Sequence, residues 1–241
     1  MTARIIHIGF PQMTKRLLLI PLLSLTVLGA SAAERDAAKG ISVRLFAVAL
    51  SPNQGPACLM AGVSRGEAFE IPTLTLSAPL SVASRDILLI SANAPTDAPP
   101  VPWATIHLPD KGSDFRIILV PVRVGCYKSV VIRGDDTKFT REDFFFINLS
   151  NHEMLGLLGT ARLNLKPGSQ VIMRPERAKT DKSFEVKFAR REQDRLLPLT
   201  NTCWPVVLDN RSYVIFYNGS SGRPTYRAVD EFMAVSTAAS P

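Results

Sequence analysis

Histidine and cysteine are scarce in this chain, at three of each in 241 residues. Only His107 and His152 lie beyond the first 33 residues. A multi-histidine metal site, or a nucleophile served by a histidine, therefore has few parts to draw on. His152-Glu153 begins like a zinc-binding helix, but the second histidine would have to stand where Gly156 is. There is no Gly-x-Ser-x-Gly elbow and no glycine-rich phosphate loop. Asp135-Asp136 and Glu142-Asp143 lack the spacing of oxygen ligands that a calcium loop requires. Cys126 with His107 could in principle form a nucleophile pair, but both read more naturally as strand residues. These gaps argue against an enzyme, and neither a cofactor nor a metal is expected.

Long apolar runs are missing too, except one. Leu17 to Leu28 is a 12-residue apolar core, too short to span about 30 Å of hydrocarbon as a helix. Lys15 and Arg16 precede it and Ala30-Ser31-Ala32 follows it. That order is the signature of a secretory signal peptide over 1–33, cleaved after Ala32 or Ala33. Export to the periplasm or the extracellular space is the expectation. Of the 28 Lys and Arg, three (Arg4, Lys15 and Arg16) belong to this segment, which leaves 25 against 21 Asp and Glu, a net charge of +4. Such a mild excess falls short of a nucleic-acid binder, and export removes most access to nucleic acid. Cys58 and Cys126, both in the first half, are the candidate disulfide pair in an oxidising compartment, with two free thiols as the alternative. Cys203 is left over.

What fills the rest is short apolar runs separated by turn residues, with no sustained helical period. Fifteen runs read as strands, from 42–49, 57–61, 68–73, 87–91, 104–108, 115–122 and 127–132 in the first half to 144–149, 155–158, 161–165, 169–174, 183–189, 195–203, 213–217 and 226–229 in the second. Only 143–153 or the tail could hide a short helix. Leu45 to Asn53 lies over Phe144 to His152 at an offset of 99, and Ile106 to Pro121 resembles Pro205 to Ser220 at nearly the same offset. A Trp beside a Pro leads each later pair, in Pro102-Trp103 and Trp204-Pro205. The expected fold is all-β. It comprises two tandem, immunoglobulin-like β-sandwich domains over 41–136 and 140–233, with a flexible tail over 234–241. Within it, the poorly alternating FFFINLS of 144–150 reads as an inner strand packed on both sides at an edge of the sandwich, and Pro167-Gly168 as a tight turn.

Asn148-Leu149-Ser150, Gly159 and Leu165-Lys166-Pro167-Gly168 also carry a resemblance. The region from Phe144 to Arg174 resembles a loose group of uncharacterised exported bacterial proteins, in which a strand ending Asn-Leu-Ser leads to a Gly…Leu-x-Pro-Gly hairpin. The resemblance implies a β-sandwich and no activity. Arg141 to Ser150 is similar to the arginine–acid–aromatic strand of periplasmic pilus chaperones, which are basic, exported and built of two immunoglobulin-like domains; here that strand opens the second domain.

One stretch invites a binding role. Arg174, Arg177, Lys179, Lys182, Lys187, Arg190 and Arg191 crowd the segment up to Arg195. They read either as an anion-facing surface, for an acidic glycan, a lipid headgroup or a partner's carboxylate, or as a charged hairpin whose Lys and Arg discourage edge pairing. Trp103, Trp204, Tyr213, Tyr217 and Tyr226 could line a sugar platform, but the recurrence of the two Trp favours core packing. The expected function is a non-enzymatic binding or structural protein of the cell envelope. The alternative is a periplasmic chaperone that assists assembly of surface subunits by strand-edge donation.

Overall fold

The computed structural model describes residues 40–233; the segment read as a signal peptide and the tail lie outside them. The first half contains β1 (Ile41–Ala47), β2 (Ala57–Ala61), β3 (Ser64–Arg65), β4 (Leu80–Val82), β5 (Asp86–Ser91), β6 (Ala104–His107), β7 (Asp114–Arg123) and β8 (Cys126–Arg133). The second contains β9 (Phe144–Asn148), β10 (Glu153–Leu158), β11 (Ala161–Leu165), β12 (Gln170–Met173), β13 (Ser183–Glu192), β14 (Arg195–Pro205), β15 (Asn210–Asn218) and β16 (Pro224–Phe232). No helix occurs among the described residues.

The strands form four sheets of four. In the first half the orders are β4-β1-β7-β8 and β3-β2-β5-β6; in the second they are β12-β9-β15-β16 and β11-β10-β13-β14. Shifting every strand number by eight turns one half into the other, so the repeat suspected from sequence is a repeat of topology. Both halves share a parallel central pair, β1 with β7 and β9 with β15. Each half is therefore a sandwich of four strands on four, rather than the seven antiparallel strands of a constant-type immunoglobulin domain.

Three apolar layers hold the four sheets in a stack. Val43, Leu45, Phe115 and Ile117 of β1 and β7 meet Leu59, Ile87, Leu89 and Ile106 of the outer sheet of the first sandwich. Phe146, Val214 and Phe216 meet Met154, Leu163, Val186 and Phe188 of the outer sheet of the second. Between these layers, Phe46, Val48 and Ile118 pack on Phe145, Ile147, Tyr213 and Ile215, so the two inner sheets bury each other. A strand buried on both faces cannot alternate, and this is why LFAV and FFFI are continuous apolar runs. Phe46 and Phe146 are both fully buried, and each such side chain stabilises the fold by about 1.5–3 kcal/mol relative to exposure. The expectation that β9 lies at an edge is corrected: it sits between β12 and β15, in the interior of the stack.

Two local readings also change. Residues 68–73 form only an isolated bridge, Phe69 to Ala57, although Ile71 is buried; Pro72 has no N–H to continue a ladder. The edge place beside β1 goes instead to β4, three residues long and unforeseen in the sequence. The Asn-Leu-Ser and Lys-Pro-Gly signatures turn out to touch. Asn148, fully buried, accepts the N–H of Gly168 at 2.7 Å on its carbonyl. Its side-chain amide donates to the carbonyls of His152 and Leu165, and its side-chain oxygen accepts from Ser150. Gly168 adopts φ 78°, as the turn after Pro167 requires.

Candidate functional site

Charged side chains gather in two places at one end of the second sandwich, on opposite faces of the same strands. Glu231 of β16 points toward the first sandwich and is nearly inaccessible. It accepts from Arg116 at 2.8 and 2.5 Å, from Arg211 at 2.8 Å and from the Tyr213 hydroxyl at 2.7 Å, with Arg44 at 3.3 Å. Burial alone would raise the Glu231 carboxyl, but the hydrogen bonds from Arg116 and Tyr213 and the two guanidinium charges hold it below the usual carboxylate range. The Tyr213 hydroxyl is driven upward by burial and by that same carboxylate. Arg211 also donates to the carbonyls of Phe139 and Gly134 and lies 4.7 Å from the Phe139 ring centroid. Arg116 and Arg44 come from one sandwich and Arg211 and Glu231 from the other, so this cluster is an internal lock with every strong donor engaged.

The neighbouring residue, Asp230, points the other way, toward the mouth of the second sandwich. There a cavity of about 220 Å³ opens between its two sheets. Phe144, Phe184, Trp204 and Val206 form its apolar wall, and Glu142, Arg177, Ser212 and Asp230 line it with polar groups. Trp204 stacks on Phe144 with centroids 5.7 Å apart and meets Phe188 edge-on at 5.8 Å. Arg177 is ion-paired with Glu142. Glu142 adopts φ 65°, a left-handed conformation costing a residue with a Cβ about 1–2 kcal/mol. Its N–H bond to the carbonyl of Asn210 holds it there. Asp230 accepts from the Ser212 hydroxyl at 2.6 Å and has no cationic partner among the described residues.

The cavity adjoins an open sheet edge. In the first sandwich, the corner between β6 and β8 is closed: Tyr127 donates its N–H to the carbonyl of Trp103 at 2.6 Å, and the Ser129 hydroxyl donates to the carbonyl of Thr105 at 2.8 Å. The counterparts in the second sandwich are β14 and β16, and no ladder joins them among the described residues. Trp204 and Tyr226 repeat the Trp103–Tyr127 pairing only as a ring contact at 6.3 Å. Along this corner Leu199, Trp204, Val206, Tyr226 and Ala228 stay half-buried. The pairing passes from Phe188–Thr200 to Ala189–Pro198 and leaves Leu199 as the extra residue of a bulge in β14, and such bulges increase local twist and turn a strand away.

The free edge has a defined length. Val206 donates to Lys182 at 2.9 Å in the register that pairs Pro205 with Ser183. In an antiparallel pair, bonded and non-bonded positions alternate, so Asn201 and Cys203 turn their N–H and C=O groups outward. Pro198 and Pro205 bracket them and offer no N–H. The open ladder is thus confined to the stretch between the two prolines.

No protein-family model matches the chain, and no curated protein sequence does.

The residues singled out in sequence are not brought together. Arg174 is held by Asp143 at 2.9 Å, Lys187 by Glu185 at 2.6 Å, Arg190 by Glu192 at 3.1 Å and Arg191 by Glu153 at 2.8 Å. With Arg177 on Glu142, five of the seven anion-facing candidates are already neutralised; Lys179 and Lys182 are exposed in the loop before β13. All three cysteines are free. Cys58 alternates with Ala57 and Leu59, which face the core, so it turns to the other side of its sheet, whereas Cys126 lies at the β7–β8 turn on the inner sheet. The bridge weighed between them is not formed. His107 pairs with Asp86 at 2.6 Å near one end of β6, while Trp103, whose carbonyl is bonded beside Cys126, precedes the other. Sequence reasoning passed over Asp230, Ser212 and the edge window. Pro198 and Pro205 were the available signal, since two prolines in one strand mark an edge.

Proposed function

We propose that this is an exported, non-enzymatic binding protein of the cell envelope that captures an extended polypeptide by strand addition to β14. The observation carrying this reading is the open corner of the second sandwich, where a free edge runs beside half-buried Leu199, Trp204, Val206 and Tyr226. Strand addition takes affinity from main-chain hydrogen bonds and selectivity from alternate side chains that enter a groove. Both elements meet here: Asn201 and Cys203 supply the main-chain groups, and the gap between the sheets receives side chains. The closed corner of the first sandwich supports the same view, because there the chain itself covers the equivalent groups. A chaperone that assists assembly of surface subunits would use the same edge, with the subunit's strand as the polypeptide.

The test is a randomised heptapeptide pool selected on the immobilised protein, followed by hydrogen exchange of the complex. Retained peptides should slow exchange at the Asn201 and Cys203 amides. Asn201→Pro removes one outward N–H without touching the β13 ladder, so it should weaken binding at least about tenfold while leaving the far-ultraviolet spectrum unchanged. Retention of no peptide, or protection elsewhere with these two amides unaffected, would refute the proposal.

A further inference from the structure

Peptide capture on β14 leaves open which side chain the adjoining cavity selects. We infer that the cavity at the mouth of the second sandwich seats a cationic side chain, Lys or Arg, of the captured polypeptide; this rests on the strand-addition reading. Trp204 and Pro205 belong both to β14 and to the cavity wall, so a strand on the free edge brings its inward side chains to the cavity. The walls near the edge are aromatic, with Trp204 and Phe144 stacked and Phe184 close by. A volume of about 220 Å³ accommodates a long, unbranched stem. Such stems lie along apolar surface while the charged head reaches polar groups, and an aromatic face attracts a cation.

Charge decides between a cationic and a neutral guest. Three charged groups line the cavity. Arg177 and Glu142 cancel one another through their ion pair, which leaves the Asp230 carboxylate as the excess charge. Its partner among the described residues, the Ser212 hydroxyl, satisfies part of its accepting capacity without neutralising it. A purely apolar side chain would desolvate that carboxylate and return nothing, whereas an ammonium or guanidinium supplies both charge and donors. The strained Glu142 backbone fits a built site, since conformations of that kind persist where the surroundings enforce them.

The closing experiment uses a peptide selected from the heptapeptide pool and its twin in which each Lys or Arg is replaced by norleucine, which keeps the stem and loses the charge. Titration follows the emission of Trp204 in a Trp103→Phe background, with hydrogen exchange at Asn201 and Cys203 in parallel. The cationic peptide should bind about tenfold more tightly than its twin at low salt, and the difference should shrink as salt rises. Asp230→Asn, which keeps an acceptor for Ser212, should bring the cationic peptide to the level of the twin. Equal affinity of the twins, with both protecting the β14 amides, overturns the cation pocket alone. A preference that survives Asp230→Asn overturns it as well. Failure of both peptides to protect those amides sinks the strand-addition reading and the pocket with it.

Discussion

Replacing Glu231 by Gln tests whether the internal lock holds the two sandwiches together. The carboxylate is 3% exposed and receives four guanidinium contacts within 2.8 Å from Arg116 and Arg211, plus the Tyr213 hydroxyl. Glutamine keeps the shape but turns an N–H₂ group toward a guanidinium and removes the charge between two buried cations. Arg116 still has Asp114 at 2.6 Å, and Arg211 still has two backbone carbonyls and the Phe139 ring. Neither is stranded entirely, yet breaking a buried pair from one side costs about 3–5 kcal/mol. For a fold of this size that is a fall in Tm of roughly 6–20 °C, measurable by thermal unfolding at pH 7. Acid provides a second readout. Because the folded carboxyl titrates below its unfolded value, its stabilising contribution is complete above the unfolded pKa of about 4.3 and disappears as pH falls through the folded value. Wild type should therefore lose stability faster than Glu231→Gln below about pH 4.3. A loss under about 1 kcal/mol at pH 7 would mean that the lock is worth no more than a surface ion pair, and parallel acid profiles would remove Glu231 from the account.

Two further outcomes follow from the same geometry. Asn148→Ala strips partners from the carbonyls of His152 and Leu165 and from the Ser150 N–H, which should cost about 2–4 kcal/mol in urea unfolding; a change within about 0.5 kcal/mol would mark the Asn-Leu-Ser signature as incidental. In limited trypsin digestion, the first cut should fall at Lys179 or Lys182, both exposed, and not at Lys138 or Arg141. The linker between the sandwiches is anchored by Phe139, which is 2% exposed and grips Arg211 through its carbonyl; early cleavage there would show that the inner sheets do not hold each other.

The sequence on its own determined the class of fold, most strand positions and the internal repeat. Each of these depends on short-range patterning: apolar runs between turn residues, Pro167-Gly168 at a turn, and a Trp beside a Pro at matching points. It even contained the stacking of the sandwiches, in the unalternating LFAV and FFFI, although a run of that kind also fits an ordinary buried strand. The tertiary structure alone decided which charges are spent and which edge is open. Arg174, Arg177, Lys187, Arg190 and Arg191 look like a basic surface along the chain. Lys187 and Arg190 meet carboxylates two residues away on their own strand, but Arg174, Arg177 and Arg191 meet Asp143, Glu142 and Glu153, which only the fold brings to them. Asp230 and Glu231 are adjacent acids of the same size, yet one is locked between the sandwiches and the other faces a cavity. The pleat sends neighbours to opposite faces, and what waits on each face is supplied by the hairpin partner β15 together with β7 and β9, which are far away in sequence. The open corner has the same origin: whether β14 meets β16 depends on the bulge at Leu199 and on the separation of two sheets, and no local pattern of residues encodes that distance.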